Sequence, residues 1–304
     1  MTSRRQRFWT AYARWVQKPA LALVRPVGPA RALFVLNAIG AYRTPRGLRV
    51  TATDLGGVPA ARCALADAPE PRGTLLYIHG GAFIMGHLRG YRHLVAELAR
   101  ASGQDGLYID YRLAPEHPYP AAVDDAEAAY RALLARGGPI TLAGDSAGGN
   151  IALALLLRIK ARGLPMPAAC ALFSPATDLR GGAASLTENA RADALVPVAW
   201  AERGAKAYCG ASDPATPEIS PVLGDFTGAP PVMIQVDDSE VLRDDSLAIA
   251  RTLRRCGVEV TLERNEGCFH VWQLLVGRTP EADEAVAEVG RFLAKFCSTG
   301  PGSR

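Results

Sequence analysis

The stretch Gly144-Asp145-Ser146-Ala147-Gly148-Gly149-Asn150 decides how this chain folds. It follows a short β-rich run at 140–143 and continues into a long apolar stretch, 147–160, with the pattern of a buried helix. It contains G-x-S-x-G with Ser146 at its centre, the spacing that holds a nucleophile on a sharp strand-to-helix turn. Amide N–H groups at the start of the helix would favour negative charge that develops there. We therefore predict Ser146 as a nucleophile, the alternative being a glycine-rich turn without chemistry.

The rest of the chain alternates β-rich runs with helical patterns. Further β-rich runs lie at 75–79, 106–111, 168–173, 231–236 and 258–263, and helical patterns follow Pro120 and lie at 243–256 and 281–297. This alternation predicts βαβ units and a mostly parallel sheet. Two stretches depart from it, and both are candidates for a layer over the carboxyl ends of the strands, where ligands bind. We predict cap helices in 1–45, a core in 46–180 and 218–304, and a second cap segment in 181–217.

A small-residue loop follows the first of these runs. It reads His79-Gly80-Gly81-Ala82-Phe83. Acyl transfer passes through an oxyanion that needs preorganised N–H donors, and small side chains let backbone amides approach it. We predict that the amides of Gly80, Gly81 and Ala82 form this oxyanion hole, with Ala147 completing it from the nucleophile side. We expect His79 to shape the loop through backbone hydrogen bonds.

The general base must follow the serine along the chain in this architecture. Of the five histidines only His270 does so, and its ordinary pKa of about 6.5 suits proton transfer near neutrality. Cys268 could be catalytic on spacing alone, but Ser146 is the better nucleophile. An acid must hold the imidazole in the correct tautomer, and the loop after 231–236 offers several. Spacing does not separate the five acids of that loop: Asp237, Asp238, Glu240, Asp244 and Asp245.

These motifs resemble those of the hormone-sensitive-lipase family of α/β-hydrolases, also called bacterial esterase family IV. The resemblance spans about 72–297 and rests on HGGAF (79–83), YRLAPEHPYPAAVDD (111–125), GDSAGGN (144–150), EVLRDD (240–245) and His270. It implies an α/β-hydrolase fold, a mostly parallel central sheet flanked by helices with a helical cap. It also implies that Glu240, at the first position of the family's D-x-L-x-D motif, is the triad acid, as in a subset of the family that uses Glu. Asp238 and Asp244 stay open as alternatives.

The motifs and the resemblance together predict a serine carboxylesterase. The triad is Ser146, Glu240 and His270, and neither a metal nor an organic cofactor is required. The resemblance implies esters with short acyl chains, acetyl to about octanoyl. An ε-lactone hydrolase and a deacetylase of a specialised metabolite are the alternatives within the same chemistry, and a binding-only protein or a dehydratase of this fold are remote ones. Candidate residues for the substrate pocket are Phe83, Trp15, Phe34, Trp200 and Tyr208.

The charge of the chain is unevenly placed. The net charge is +4, yet residues 1–53 hold nine Arg, Lys18 and no Asp or Glu, leaving 24 basic and 30 acidic side chains elsewhere. A uniformly basic nucleic-acid-binding protein would not show this distribution, and we expect no nucleic-acid partner. Residues 1–45 are predicted to pack as amphipathic helices over the active site, against an acidic surface of the core. An interfacial membrane helix is the alternative.

The spacing of the cysteines and the length of the apolar stretches indicate the cellular compartment and whether the chain crosses a membrane. The six cysteines form no CxxC pair and no zinc-ligand spacing, so we read them as reduced thiols of a cytoplasmic protein. No stretch approaches the roughly 18 consecutive apolar residues of a membrane-spanning helix, so we expect no integral membrane segment. The expected partner is a small-molecule ester substrate, and a homodimer is left open.

Overall fold

A central eight-stranded sheet organises the chain, which we describe from a computed structural model for residues 2–24 and 26–297. The strand order is β1-β2-β4-β3-β5-β6-β7-β8, antiparallel for the β1–β2 and β2–β4 pairs and parallel elsewhere. The strands are β1 (Leu48–Leu55), β2 (Val58–Leu65), β3 (Thr74–Ile78), β4 (Asp105–Ile109), β5 (Ile140–Asp145), β6 (Ala169–Phe173), β7 (Val232–Asp237) and β8 (Val260–Asn265). The predicted α/β fold with a mostly parallel sheet is confirmed.

Helices cover both faces of the sheet. This explains why β3, β5, β6 and β7 are almost wholly buried apolar runs rather than alternating ones. The helices are α1 (Arg4–Tyr12), α2 (Lys18–Leu23), α3 (Val27–Ala41), α4 (Leu88–Ser102), α5 (Ala121–Arg136), α6 (Ser146–Ala161), α7 (Ala184–Glu188), α8 (Val198–Cys209), α9 (Arg243–Arg255) and α10 (Pro280–Ala294). One apolar cluster joins α5, α6 and α9 to the sheet, and another joins α4 and α10 to its opposite face.

The first two strands form an antiparallel hairpin at one edge. Leu55 pairs with Val58 across the two-residue turn Gly56-Gly57, in which both residues have positive φ. Such a turn follows the twist of the flanking strands, and glycine adopts it without steric cost. The hairpin adds an antiparallel edge to the parallel sheet and places β5 near the centre.

The two segments outside the alternation meet at the carboxyl ends of the strands. A π-helical turn, Ala13–Gln17, joins α1 to α2, and α2 packs against α8. Arg14 donates to the carbonyl oxygens of residues 191 and 192, and Lys18 Nζ donates to those of residues 190 and 193, over 2.7–2.9 Å. The expectation of an acidic partner surface was therefore wrong for these two cations. They satisfy carbonyl oxygens of an irregular loop that has no ladder partner of its own.

Candidate active site

Ser146 sits on a strained turn between β5 and α6. Its φ is +51°, a left-handed conformation that is uncommon for a residue with a side chain. A Cβ atom at Gly144 would lie 2.6 Å from the carbonyl oxygen of Gly148, and one at Gly148 would lie 2.1 Å from that of Ile78. Only glycine fits at either position. The G-x-S-x-G spacing thus presses the turn against β3 and leaves Ser146 facing a cavity.

His270 lies against a buried carboxylate on the neighbouring loop. Its Nδ1 donates to Glu240 Oε2 over 2.6 Å, and both side chains are buried. The other carboxylate oxygen, Oε1, accepts from Ser174 Oγ over 2.7 Å and from the Asp237 backbone N–H over 2.8 Å. Asp238 and Asp244, the two alternative acids, do not hydrogen-bond to His270. Asp238 pairs with Arg264, and Asp244 accepts from the Ser185 backbone N–H.

The electrostatic setting of His270 favours its protonated form. Burial alone would lower the pKa of its imidazole. The hydrogen bond and charge of Glu240, with smaller effects from Asp193 and Asp145, outweigh that burial and raise the pKa above its ordinary value. A base in this setting accepts a proton readily and holds an imidazolium beside a fixed negative charge.

The loop after β3 presents two free backbone donors. Among the hydrogen bonds of residues 2–24 and 26–297, none uses the N–H of Gly81 or Ala82. Gly81 has φ +114° and a Cβ there would lie 2.0 Å from the carbonyl oxygen of Met85, so glycine is required. Ala147 lies in the first turn of α6, where N–H groups have no acceptor within the helix. Gly81 lines one cavity together with Ser146, and Ala82 and Ala147 line a second cavity together with it.

The prediction that the Gly80 amide belongs to the oxyanion hole was wrong. Its N–H donates to Asp145 Oδ1 over 2.8 Å, so it is not free to face an oxyanion. Asp145 also accepts from Tyr77 Oη over 2.8 Å, and burial raises the pKa of this carboxyl to about 6, although those hydrogen bonds favour its ionised form. The carboxylate thus ties the loop after β3 to the residue directly before Ser146.

His79 has the structural role expected of it. Its ring stacks on Tyr111 and Tyr108 at centroid distances of 4.2 and 5.3 Å, and its Nδ1 lies 2.7 Å from the carbonyl oxygen of Gly80. Burial lowers the pKa of the imidazole to about 4, so the ring is neutral near pH 7. A Cβ at Gly86 would lie 2.0 Å from the ring. His79 therefore fills the space behind the loop that follows β3.

Two cavities flank Ser146. The front cavity, of about 330 Å³, runs beneath α1–α3 and is lined mostly by apolar side chains, with Ser146 and His270 at its base. The back cavity, of about 400 Å³, lies on the other side of Ser146 beneath α8 and includes charged groups. Trp200 and Val196 line both. The charged residues of the back cavity are Asp178, Arg180, Glu202, Lys206 and Asp245.

Comparison with known proteins decides the family. A model of the α/β-hydrolase fold family matches residues 75–274. An acetyl-hydrolase of Streptomyces hygroscopicus is 43% identical over 232 residues, which cover 75% of this chain and 77% of that protein. The putative acetyl-hydrolase LipR of Mycobacterium tuberculosis is 38% identical over 279 residues, 91% of this chain and 90% of that one. The crystal structure of an esterase from the bacterial hormone-sensitive lipase family superposes with a TM-score of 0.91 at 33% identity, covering 98% of this chain and 100% of that one.

The chain belongs to the hormone-sensitive-lipase family of α/β-hydrolases. This hydrolase brings some of the predicted pocket residues to the cavities and leaves others out. Phe34 and Trp200 line the front cavity, and Phe83 and Trp200 line the back one. Trp15 lines neither, because it is 75% exposed on the outer side of its helix, and the adjacent Val16 lines the front cavity instead. Tyr208 also lies outside both, stacked behind Phe83 at 3.9 Å between ring centroids.

Sequence reasoning missed the residues that hold the Glu240 loop in place. Asp193, in the second predicted cap segment, accepts from the backbone N–H groups of residues 195, 196 and 241. Asn189 Nδ2 donates to the carbonyl oxygens of Asp238 and Glu240. Ser174, which donates to Glu240, could have been found, since it directly follows β6, the strand between β5 and β7. Asp193 and Asn189 carry no signal in the sequence.

The described part of the hydrolase offers neither a cluster of metal-ligating side chains nor a helix that could span a membrane. No group of three or more His, Cys, Asp or Glu side chains within 2–24 and 26–297 could hold a metal ion. Over the same ranges, no helix combines the length and apolarity needed to cross a bilayer.

Proposed function

We propose that this hydrolase cleaves short- to medium-chain carboxylic esters through an acyl-enzyme on Ser146. That it hydrolyses esters follows from its relatives, which are named esterases and acetyl-hydrolases. The observation that carries the mechanism is the 2.6 Å contact between His270 Nδ1 and Glu240 Oε2, beside a serine on a strained turn in the same cavity.

In the proposed first step, Ser146 Oγ attacks the ester carbonyl carbon while His270 takes the hydroxyl proton. Glu240 holds the Nδ1–H and stabilises the imidazolium. The N–H groups of Gly81, Ala82 and Ala147 receive the oxyanion, and one such donor typically contributes about 10²–10³ in rate. His270 then protonates the leaving alcohol. A water that has lost its proton to His270 attacks the acyl-enzyme and releases the acid.

The two cavities suggest which part of the ester lies where. The front cavity has an apolar lining, which suits an acyl chain, and its volume of about 330 Å³ is at the lower end of the roughly 300–1,000 Å³ of ligand pockets. That size supports the preference for acetyl to about octanoyl groups. The charged side chains that line the back cavity suit a polar alcohol. In this proposal 1–45 and 181–217 act as the cap, since residues of both segments line the front cavity and residues of 181–217 line the back one.

A deacetylase of a specialised metabolite is the second candidate. The acetyl-hydrolase names of the two relatives at 43% and 38% identity favour it. The back cavity, at about 400 Å³ with charged lining, would hold a bulky polar alcohol while the front cavity holds only the acetyl group. An ε-lactone hydrolase uses the same triad, and lactones belong in the same assay.

A substrate panel and an active-site label test the proposal. We expect p-nitrophenyl esters to be hydrolysed fastest between acetyl and octanoyl, and an organophosphonate to modify Ser146 alone, as mapped by peptide mass spectrometry. A rate maximum at dodecanoyl or longer would refute the short-chain preference. Full activity of Ser146→Ala would refute the mechanism, and absence of hydrolysis across esters, acetylated alcohols and lactones would favour a binding protein.

We also infer a cytoplasmic location, supported by free thiols. All six cysteines are unpaired, and five of them are buried. Sedimentation velocity of the purified chain would test the proposed homodimer.

A further inference from the structure

The outer side of the N-terminal helices is unusually apolar. Of the eight large hydrophobic side chains exposed in the described part of the chain, six lie between residues 8 and 39. We call these six the N-terminal face: Phe8, Trp15, Val16, Leu23, Leu36 and Ile39, exposed by 50–79%. Single exposed apolar side chains need no explanation, but a concentration on one short segment marks an interaction surface.

Two members of this face also line the front cavity. Val16 and Leu36 line the cavity and are also 50% and 66% exposed, so they lie at its rim on opposite helices. Tyr12 Oη donates to Asn37 Oδ1 over 3.1 Å, which ties α1 to α3 beneath them. The apolar surface is therefore continuous across both helices and not two separate patches.

A cationic cleft adjoins the same face. Arg4, Arg5, Arg43 and Arg278 line a cleft of about 490 Å³ together with Phe8 and Trp9. The Arg278 guanidinium lies 5.6 Å above the Trp9 ring. Among the ion pairs of residues 2–24 and 26–297, none involves any of these four arginines. Phe8 belongs to both the face and the cleft, so apolar and cationic surfaces meet there.

We propose that the N-terminal face docks on an anionic lipid surface. Its apolar side chains would enter the boundary between head groups and acyl chains, as amphipathic interfacial helices do. The four arginines of the cleft would bind lipid phosphates, for which a guanidinium offers paired donors. Residues 1–53 carry ten cations and no acid, and the cytoplasmic leaflet supplies the opposite charge.

The charge decides between a lipid surface and a second copy of the chain. A two-fold dimer would place the same patch of both subunits in contact. Here that contact would bring the arginine-rich clefts of the two copies together. The carboxylates that border the cleft, Glu281 and Asp283, already accept from the backbone N–H groups of Ser3 and Gly277 and form no ion pair with these arginines in the described part of the chain. An anionic bilayer satisfies the apolar and the cationic surface at once. The docking does not depend on the proposed ester hydrolysis, because binding to vesicles is measured without substrate.

Vesicle binding of the full chain tests the proposal. We expect co-sedimentation with vesicles of equimolar phosphatidylcholine and phosphatidylglycerol, weak binding to phosphatidylcholine alone, and loss of binding as salt rises. Tryptophan emission should shift to shorter wavelength on binding. Trp15 is 75% exposed, whereas Trp200 and Trp272 are 7% and 1% exposed and already shielded.

Variants on the face and a matched control separate the outcomes. Trp15→Ser with Leu23→Ser should weaken binding about tenfold or more, because both lose apolar burial. Arg4→Gln and Arg5→Gln should each weaken it about fivefold, as expected for one cation near an anionic surface. Leu223→Ser removes an exposed leucine from the core domain and should leave binding unchanged. None of these residues lines the front or back cavity.

Four results would overturn the docking proposal. The first is no binding to anionic vesicles at low salt. The second is equal binding to both lipid compositions. The third is a weakening of vesicle binding by Leu223→Ser equal to that by the variants on the face. The fourth is a wild-type dimer in sedimentation velocity that Trp15→Ser with Leu23→Ser dissociates, which would assign the face to a second copy of the chain.

Discussion

Asp145 Oδ1 accepts the backbone N–H of Gly80 over 2.8 Å, which joins the residue before the candidate nucleophile to the candidate oxyanion loop after β3. The same oxygen accepts from Tyr77 Oη, so the position of the loop depends on one atom of a buried side chain. Gly81, the next residue, supplies a free N–H. A small displacement of Gly80 would therefore move a proposed oxyanion donor.

Substitution of Asp145 should separate hydrogen bonding from charge. Asp145→Asn keeps an Oδ1 acceptor and should lower kcat less than tenfold. Asp145→Ala removes it and should lower kcat about 10²–10³-fold, as loss of one oxyanion donor does, with little change in KM. Steady-state kinetics on p-nitrophenyl acetate measures both, with melting temperatures to verify folding. Full kcat in Asp145→Ala would show that the loop holds its position without this contact.

Glu240→Gln should lose most of the activity. Replacement of a triad carboxylate by an amide typically costs about 10⁴ in kcat, because the imidazole is held in the wrong tautomer. Asp244→Asn is the matched control, and it should cost far less, since Asp244 accepts from the Ser185 backbone N–H rather than from His270. The reverse order would move the role of triad acid to Asp244.

The pH profile gives an independent readout of the same pair. His270 acts as a base only when neutral, so kcat/KM rises with pH through its pKa. The Glu240 carboxylate outweighs burial and raises that pKa, so the acid limb of the wild-type profile should lie above pH 6.5. In Glu240→Gln the charge is gone and burial remains, so the limb of the residual activity should move to lower pH. An unmoved limb would mean that another group sets it.

Particular residues show how far the sequence predicts this site. Ser146 could be assigned because it is the serine of a turn with glycine at two fixed positions. His270 could be assigned because it is the only histidine that follows Ser146 along the chain. Glu240 needed the resemblance to the family, since five acids share one loop and hydrogen bonding within a fold separates them. Gly80 was misassigned as a donor because its partner, Asp145, is 65 residues away in sequence.

The N-terminal segment was the least predictable part of the fold. Helical spacing predicts an amphipathic segment there but does not give the rotation of each helix about its axis. Trp15 was expected inward and lies 75% exposed, while Val16, one residue on, reaches the cavity. Likewise, the contacts of Arg14 and Lys18 are with backbone carbonyl oxygens, which the charge pattern of a sequence does not reveal.

Narrowing the front cavity should shorten the preferred acyl chain. Ala20 lines this cavity, so Ala20→Phe should lower kcat/KM for p-nitrophenyl octanoate much more than for the acetate. Ala11→Phe, on the outer side of α1 and away from both cavities, is the matched control and should leave the ratio unchanged. Equal losses on both esters would place the acyl chain elsewhere, with the back cavity as the next candidate.

Lys18 should contribute to stability through the loop that carries Asp193. Its Nζ donates to the carbonyl oxygens of Ala190 and Asp193 over 2.8 and 2.7 Å. Hydrogen bonds to charged groups contribute about 1.5–3 kcal/mol, so Lys18→Met should lower the free energy of unfolding by about that amount. Arg49→Met, an exposed cation on β1, is the control and should change it by less than about 0.5 kcal/mol. Urea denaturation measures both.

The same substitution should also lower kcat. Asp193 accepts from the Val241 backbone N–H, beside Glu240, so loosening Asp193 should displace the Glu240 loop. A stability loss with unchanged kcat would show that this loop holds its position without Lys18.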